Sequence, residues 1–301
     1  MPRASTFVLL NPAAGRGRGA RRGRDFLTLL ERHVGPVDHA ASERPGHERA
    51  LLDRALAEGY RSIVAVGGDG TWSAAADRIV ASGRQDVALG LLPAGTGNDF
   101  GKSLGIRHAK AEAVARAMAE GREQIVDVGR IGGRYFLNVV GIGFDIAVID
   151  DAASTPLLKG DSLYRFCALR QLFRFPGIPV ALAADGGAPL ERRYLMLVIA
   201  NGNYFGGSFH IAPRASLNDG MLDAVSIFDA PPLARARLFS LVAKGKHEGA
   251  ARVDVRRGRR FTVHVEGVSA IRYEVDGEVC TSEGPSLAVE TVPRALRVYA
   301  P

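Results

Sequence analysis

Short apolar runs, each followed by small and polar residues, recur through the first third of the chain. The runs 6–10, 62–66 and 87–91 consist mainly of β-branched and aliphatic residues, which predicts buried strands. The stretches between these runs are predicted as helices over 18–33, 45–59, 72–82 and 109–121. Strands and helices that alternate in this way predict an α/β domain with a parallel sheet.

The pattern changes after about residue 129, where strand-like runs become frequent and helices few. Helices are predicted only over 159–172 and 231–243. Strands are predicted over 134–142, 190–200, 222–228, 252–256, 260–266, 270–275 and 286–292. The segments 176–179 and 185–189 are predicted to be exposed turns. We therefore expect residues 1–128 to form the α/β domain and residues 129–295 to form a mostly antiparallel β-sandwich domain.

Composition supports an ordinary globular protein of two domains. The chain has 301 residues, of which 47% are hydrophobic and 24% charged, and its net charge is +7. A net positive charge favours anionic partners, namely a nucleotide, a nucleic acid or anionic lipid head groups. Basic clusters without interleaved aromatic residues disfavour nucleic acid. Because no signal peptide or membrane-spanning stretch is visible, we expect a cytoplasmic protein, and we expect Cys167 and Cys280 to be reduced thiols.

The glycine-rich loop Gly67–Thr71 follows the second of the apolar runs directly. Such a loop lets backbone N–H groups close on a phosphate, and the helix behind it presents its positive N-terminus to the same anion. The loop contains Asp69, whose carboxylate repels a polyphosphate unless a divalent cation lies between them. The loop therefore indicates a magnesium–nucleotide site. The alternative is a tight turn with a solvated Asp69.

Two further loops have the same character and follow strand-like runs. One is Asn11–Gly15, and the other is 92–100, which contains Thr96 and Asn98. The carboxyl ends of parallel strands share one edge of a sheet, where ligands of such folds bind. Because three successive strands each end in such a loop, we favour a nucleotide site at this edge of the sheet.

These loops and several later segments resemble the diacylglycerol kinase catalytic domain family, which includes bacterial lipid kinases, sphingosine kinases and ceramide kinases. The resemblance extends over nearly the whole chain. The matching segments are NPAAG at 11–15, GGDGT at 67–71, PAGTGNDF at 93–100, NVVGIGFD at 138–145, VIANGNYFGGSFHIAP at 198–213, NDGMLD at 218–223 and EVDGE at 274–278. It implies an N-terminal sheet like that of diacylglycerol kinases and NAD kinases, a β-sandwich, and a strand at about 296–301 that returns to the first domain.

Twelve residues are predicted to bind the nucleotide. Ser42 enters this set because it stands where the family has a nucleotide-contacting Thr, and its alternative role is the N-cap of a helix. The predicted set is Asn11, Pro12, Ala13, Ala14, Gly15, Ser42, Gly67, Gly68, Asp69, Gly70, Thr71 and Thr96.

Two carboxylates near residue 277 are candidates for proton transfer. Gly277 favours a tight turn between Asp276 and Glu278, and a carboxylate pair there can divide contact with the metal and acceptance of a proton. The resemblance implies that Glu278 or Asp276 is the catalytic base, and we favour Glu278, with Asp276 beside it and Asp69 at the catalytic magnesium. The alternative is a solvated hairpin turn, since Asp-Gly is a common hairpin dipeptide.

A second metal site is predicted around Asp219. Its carboxylate and the backbone carbonyls of Ser216 and Met221 form a compact set of hard oxygen ligands. The resemblance implies a structural Mg²⁺ held by these three residues. The alternative is an Asn-Asp-Gly turn without a metal.

The glycine-rich loops indicate a magnesium–nucleotide site, and the resemblance implies an ATP- and Mg²⁺-dependent lipid kinase that acts on a lipid hydroxyl at the inner face of a membrane, most simply on diacylglycerol. The expected partner is a lipid substrate presented at a membrane surface and not a nucleic acid, and a homodimer is left open. Two alternatives stay open: an NAD kinase-like enzyme, and a non-catalytic lipid- or nucleotide-binding regulator on the same scaffold.

Overall fold

A computed structural model describes residues 5–106, 111–155, 161–207 and 209–301, with the side chains of residues 161–165 excluded. The chain divides into two compact units. The first comprises Met1–Leu137, Ser216–Gly220 and Val292–Pro301, and the second comprises Asn138–Ala215 and Met221–Thr291.

The first unit alternates strands and helices along the chain. The elements are β1 Thr6–Leu10, α1 Ala14–Val34, β2 Val37–Ala41, α2 His47–Ala57, β3 Ser62–Gly67, α3 Asp69–Ala81, β4 Ala88–Pro93, α4 Asp99–Ser103, α5 Ala111–Ala119, β5 Glu123–Ile131 and β6 Arg134–Phe136, and the end of β15 (Ser286–Tyr299) joins them. A parallel sheet has its strands in the order β15-β4-β3-β1-β2. Its central strand β3 has one half-buried residue, Ser62, followed by five buried ones, as expected for a strand covered on both faces. Helix α1 packs against α5, and α2 packs against α3.

Strand β15 (Ser286–Tyr299) contributes to both units. Its residues Arg297 and Val298 pair in parallel with Ala88 and Leu89 of β4 in the first unit. The parallel sheet therefore includes a strand that lies more than 190 residues from its neighbour in the sequence.

The second unit is antiparallel throughout. The elements are β7 Val139–Gly143, α6 Phe144–Ala153, α7 Asp161–Arg174, β8 Ile178–Ala184, β9 Leu190–Ala200, β10 Leu222–Phe228, α8 Pro232–Ala243, β11 Val253–Gly258, β12 Arg260–Val265, β13 Arg272–Val275 and β14 Glu278–Thr281. The strands follow the order β14-β13-β7-β9-β8-β12-β15, and β10 pairs with β9 and β11. The predicted fold class, an α/β domain with parallel strands followed by an antiparallel β-sandwich, is confirmed.

Some element boundaries differ from the predictions. The predicted turn 176–179 is wrong in its second half, because β8 begins at Ile178 and Pro179 pairs with Arg193 of β9. A proline is tolerated there because it lies near the start of the strand. The predicted strand 134–142 is two strands, β6 and β7, interrupted at residues 137–138. Helix α6 was not predicted, because its apolar residues do not follow a clear helical period.

Both cysteines, Cys167 and Cys280, are free thiols. Within the described ranges, no helix combines the length and the apolar composition needed to cross a bilayer.

Candidate functional site

Three loops meet at the carboxyl edge of the parallel sheet in the first unit. The backbone N–H of Asn11, after β1, donates to the Val66 carbonyl at the end of β3, with an N–O distance of 3.0 Å. The N–H groups of Ala94 and Gly95, after β4, both donate to the Gly67 carbonyl, at 2.8 and 3.0 Å. The end of β3 therefore fixes the loops on both sides of it.

The loops after β3 and β4 approach so closely that only glycine fits at the contact. A Cβ on Gly95 would lie 2.4 Å from the Cα of Gly68, and a Cβ on Gly67 would lie 2.3 Å from the hydroxyl of Thr71. Real Cβ atoms do not approach other atoms this closely, so larger residues require the loops to separate. Because Gly67, Gly68 and Gly95 have no side chains, none of these three residues covers the backbone at this edge.

Polar side chains connect the loop after β1 to the same place. The Asn11 amide donates to the Thr71 hydroxyl at 2.9 Å, and the Asn11 side-chain oxygen accepts from the N–H of Ala13 at 3.1 Å. Pro12 lies between them and its carbonyl accepts from the N–H of Ala20. Helix α1 starts at Ala14 with three residues, 15–17, in the left-handed region. The structure therefore brings the predicted segments Asn11–Gly15 and Gly67–Thr71 together.

Arg18 joins the first and third loops, and the sequence analysis did not single it out. Its guanidinium donates to the carbonyls of Gly15 and Gly95, at 3.2 and 2.8 Å, and to the hydroxyl of Thr96 at 3.3 Å. Thr96 is exposed at the loop surface. A guanidinium at this position gives the sheet edge a positive charge, which suits an anionic ligand.

The Asp69 carboxylate lies at the first turn of α3 and is held by backbone amides of α4. Its Oδ1 accepts from the N–H of Asp99 at 2.6 Å and from the N–H of Phe100 at 3.4 Å. Burial, and then the nearby charge of Asp99, raise the pKa of Asp69 from 3.8 to about 6. The Asp99 carboxylate is itself buried and pairs with the Lys102 ammonium at 2.7 Å. A divalent cation beside Asp69 offsets this concentration of negative charge, so the residues present fit Mg²⁺.

Ser42 lies beside the end of β1, since its backbone N–H donates to the Leu10 carbonyl at 2.9 Å. The alternative role as a helix N-cap is wrong, because α2 begins at His47 and the residue at its N-cap is Gly46. The half-buried Ser42 thus follows β2 at the same end of the sheet as the loop that begins at Asn11.

In the second unit, Asp276 and Gly277 form the two-residue turn that joins β13 to β14. Both residues have positive φ angles, 48° and 88°, which is typical of the type I′ turn of tight hairpins. Asp276 is 7% exposed, and its Oδ1 accepts from the N–H groups of Asn138 and Val139 at 2.9 and 3.0 Å. Glu278 is exposed at the start of β14. The two carboxylates therefore differ: one is fixed by the backbone and the other faces solvent.

A buried pair of carboxyl groups lies next to this hairpin, and the sequence analysis did not identify it. The side chains of Asp145, at the start of α6, and Glu274, in β13, both approach Gly141 of β7. An oxygen of each lies close to where a Gly141 Cβ would stand, at 2.3 and 3.2 Å. Burial raises the pKa of Asp145 from 3.8 to about 6. The motif at 138–145 contained the signal: an aspartate that follows an apolar strand and stands four residues after a glycine of that strand.

The loop predicted to bind a structural metal is fastened to a buried carboxylate, Asp127 of β5. The Oδ2 of Asp127 accepts from the N–H of Gly220 at 2.6 Å, and its Oδ1 accepts from the N–H of Arg294 at 2.7 Å. The N–H of Asp127 donates to the Leu217 carbonyl at 2.6 Å. Asp219 is exposed beside these contacts. Sequence reasoning missed Asp127.

The candidate metal loop offers one carboxylate, from Asp219, together with backbone carbonyls. The Ser216 hydroxyl is within 2.9 Å of the side-chain oxygen of Asn218. Across the described ranges, no group of three or more histidine, cysteine or carboxylate side chains is arranged to hold a metal ion. A site at Ser216, Asp219 and Met221 therefore depends on carbonyl oxygens, which are hard ligands suited to Mg²⁺.

Two protein-family models match the chain and account for nearly all of it. The diacylglycerol kinase catalytic domain matches residues 5–131, and the YegS C-terminal NAD kinase beta sandwich-like domain matches residues 138–300. The chain belongs to the diacylglycerol kinase and YegS-like lipid kinase family. The resemblance inferred from the sequence motifs is confirmed.

Members of this family are similar to the chain over most of its length. A diacylglycerol kinase of Mycobacterium tuberculosis is 29% identical over 299 residues, which cover 98% of this chain and 94% of the relative. A probable lipid kinase YegS-like protein of Pseudomonas aeruginosa is 34% identical over 260 residues, with coverage of 85% and 82%. The crystal structure of a putative diacylglycerol kinase from Bacillus anthracis is similar in fold, with a TM-score of 0.80, 21% identity and coverage of 100% and 98%.

Proposed function

We propose that this protein is an ATP- and Mg²⁺-dependent lipid kinase that transfers the γ-phosphate of ATP to the hydroxyl of diacylglycerol. The observation that carries the proposal is the sheet edge at Gly67–Thr71, where three glycine-containing loops meet beside the half-buried carboxylate of Asp69. Membership of a lipid kinase family supports a lipid alcohol as the acceptor. The specific choice of diacylglycerol is supported by the name of the M. tuberculosis relative.

The loops would bind the phosphates through backbone amides and dipoles. Helix α3 begins at Asp69 and extends for 13 residues, so its N-terminus carries a substantial partial positive charge. Arg18 adds a full positive charge next to Thr96. A triphosphate that follows the loops from Asn11 to Thr96 would meet donors and positive charge along its length.

Asp69 is the residue proposed to hold the catalytic Mg²⁺. When bound, the ion neutralises charge that develops on the phosphate oxygens during transfer. The pKa of about 6 leaves Asp69 mostly ionised at neutral pH, so it offers a carboxylate ligand there. The amides of Asp99 and Phe100 occupy one side of the carboxylate and fix its orientation.

Glu278 is proposed to accept the proton of the lipid hydroxyl. Its exposed position lets it reach a substrate, whereas the Oδ1 of Asp276 is occupied by two backbone amides. Asp276 is proposed to act by fixing the hairpin that presents Glu278. A proton acceptor within hydrogen-bond reach of an alcohol is what phosphoryl transfer to a hydroxyl requires.

The test is transfer of radiolabel from ATP, labelled at its γ-phosphate, to diacylglycerol in mixed micelles, with the product identified by mass spectrometry. NAD and a total lipid extract are offered in parallel reactions. We expect labelled phosphatidic acid with the wild-type protein. Asp69→Asn is expected to lower the rate by at least about a hundredfold. Asp25→Asn, on the exposed surface of α1, is the matched control and should retain activity.

Three outcomes would contradict the proposal. Labelled NAD without labelled lipid would identify an NAD kinase. Binding of ATP without transfer to any lipid of the extract would indicate a regulator. Full activity of Asp69→Asn would remove that residue from its role.

A further inference from the structure

Two neighbouring helices of the second unit expose a group of large apolar side chains. On α7, Phe166, Leu169 and Phe173 are 45%, 57% and 65% exposed, and on α8 Leu233 is 84% exposed. Elsewhere in the described part of the chain, the exposed large apolar side chains are dispersed singly and are each 40% exposed or less. An apolar concentration of this kind marks an interaction site.

The exposed residues of α7 form one stripe. Phe166, Leu169 and Phe173 are spaced three and four residues apart, which places them on one side of the helix. The opposite side is already buried: Cys167 is fully buried in the core of the unit, and Leu172 packs against that core. The fold therefore does not need the outer stripe for its own packing.

Helix α8 extends this surface. The Arg235 guanidinium donates to the Leu172 carbonyl at 2.8 Å, which places the first turn of α8 beside the last turn of α7. Leu233 belongs to that first turn. On α7 the Arg170 guanidinium lies 5.2 Å from the Phe166 ring centroid and bonds to the Asp151 carboxylate, which limits the motion of the ring.

Cations accompany the apolar side chains. Arg174 is exposed next to Phe173, Arg237 is exposed one turn after Leu233, and Lys244 is exposed at the end of α8. Two acidic residues nearby are engaged by other arginines: Asp151 pairs with Arg170, and Asp229 pairs with Arg235. We call the four apolar and three basic side chains the α7–α8 face: Phe166, Leu169, Phe173, Leu233, Arg174, Arg237 and Lys244.

We propose that the α7–α8 face docks the protein on an anionic lipid bilayer. The apolar side chains would enter the boundary between head groups and acyl chains, and the basic side chains would contact the anionic head groups. A second copy of the chain fits less well, because a two-fold contact through this face brings the same three cations together. The inference rests on the proposed lipid kinase function, whose substrate resides in a membrane.

The experiment is co-sedimentation of the full chain, without nucleotide, with vesicles of equal parts phosphatidylcholine and phosphatidylglycerol. We expect the wild-type protein to bind these vesicles at least about tenfold more tightly than vesicles of phosphatidylcholine alone. The triple variant Phe166→Ser, Leu169→Ser and Phe173→Ser should lose about tenfold or more in affinity. Val268→Ser, at an exposed apolar position elsewhere in the same unit, is the matched control and should bind as the wild type does.

A second pair of variants tests the charges. The double variant Arg174→Glu, Arg237→Glu should abolish the preference for anionic vesicles. Added salt should lower the affinity of the wild-type protein for these vesicles toward that of the double variant. The proposal would be overturned if either set of variants bound the anionic vesicles as tightly as the wild-type protein does. It would also be overturned if the wild type did not bind vesicles and instead formed a dimer that the serine variants abolish.

The test of membrane docking can be separated from the test of the proposed kinase activity. With a short-chain, water-soluble diacylglycerol, the serine variants should phosphorylate as fast as the wild type, since the α7–α8 face contains none of the proposed catalytic residues. If the vesicle result holds while neither protein phosphorylates any lipid, the kinase proposal fails and the docking surface stands. If activity on the soluble lipid is present but vesicle binding is absent, the docking proposal alone fails.

Discussion

The carboxylate of Asp69 and the backbone amide of Asp99 are joined by a hydrogen bond of 2.6 Å, so the start of α4 is fastened to the start of α3 through one charged oxygen. This contact holds the loop after β4 against the loop after β3. Burial of the Asp69 carboxylate and the nearby charge of Asp99 raise the pKa of Asp69 to about 6, although the hydrogen bond itself acts in the opposite direction.

The first prediction concerns the pH dependence of nucleotide binding. Because Asp69 ionises near pH 6, affinity for magnesium–ATP should rise as the pH increases from about 5 to about 7. Trp72, the chain's single tryptophan, is buried in the first turn of α3, so its fluorescence can measure the binding. Asp69→Asn should weaken binding at pH 7 and remove part of the pH dependence; the part that remains belongs to the nucleotide. Identical pH profiles for the two proteins would contradict the assignment.

The second prediction concerns the glycine contact. Gly95→Ala would place a Cβ 2.4 Å from the Cα of Gly68 and should separate the two loops. We expect a loss of unfolding free energy of about 1–3 kcal/mol and the loss of nucleotide binding. The matched control is Gly133→Ala, where a Cβ would meet no atom within 4 Å. Thermal unfolding and Trp72 fluorescence measure the two effects. Normal nucleotide binding by Gly95→Ala would show that the close approach is not required.

The third prediction concerns Asp145. Its folded-state pKa of about 6 lies above the ordinary value of 3.8, so the folded protein binds this proton more tightly than the unfolded chain. This proton therefore stabilises the folded state by at most about 3 kcal/mol. The stabilisation is complete below about pH 4 and is lost as the pH rises through about 6. The unfolding free energy of Asp145→Asn minus that of the wild type should therefore be larger at pH 8 than at pH 4.

Urea unfolding at several pH values, followed by far-ultraviolet circular dichroism, measures this difference. Glu191→Gln, on the exposed part of β9, is the matched control and should follow the wild-type curve. A stability difference between Asp145→Asn and the wild type that does not vary with pH would refute the account.

The fourth prediction separates Asp276 from Glu278. Asp276→Ala leaves two buried N–H groups, those of Asn138 and Val139, without their acceptor, which should cost about 2–3 kcal/mol of unfolding free energy. Glu278→Gln removes an exposed charge and should change stability by less than about 0.5 kcal/mol. In the proposed kinase, Glu278→Gln should lower kcat with little change in KM for ATP. Comparable loss of stability in both variants, or full kcat in Glu278→Gln, would contradict the division of roles.

The fifth prediction concerns the structural metal. If Mg²⁺ binds at Ser216, Asp219 and Met221, millimolar Mg²⁺ without nucleotide should raise the midpoint of thermal unfolding by a few degrees, because it binds the folded state alone. Asp219→Ala should abolish this increase, and Asn218→Ala, at the neighbouring exposed position, should retain it. Equal responses of the two variants to Mg²⁺ would count against a site at Asp219.

The strands and loops of the first unit were predictable because their signal is local. An apolar run such as Ser62–Val66 followed by two glycines predicts a buried strand that ends in a tight turn. The segment that became β8 was missed because Pro179 lowers the expectation of a strand, and only its pairing with β9 shows that the proline is tolerated.

The side chains that surround the candidate site were less predictable, since their partners come from distant segments. Arg18 is one of several arginines in α1, and only the contact with Gly95 distinguishes it from the others. Asp127 gave no signal, because its partners, Gly220 and Arg294, lie 93 and 167 residues away. A composition or a motif cannot identify such a residue, because its role depends on which backbone amides the fold brings to it.

The division of β15 between the two units has a consequence for biosynthesis. On a ribosome, β4 emerges long before Arg297 and Val298, the residues that pair with it. Until they appear, β4 presents an open edge, which invites pairing with other chains. The nascent first unit would thus be vulnerable to aggregation for most of translation, and overexpression should yield more soluble protein when synthesis is slowed or a chaperone that shields exposed strands is supplied.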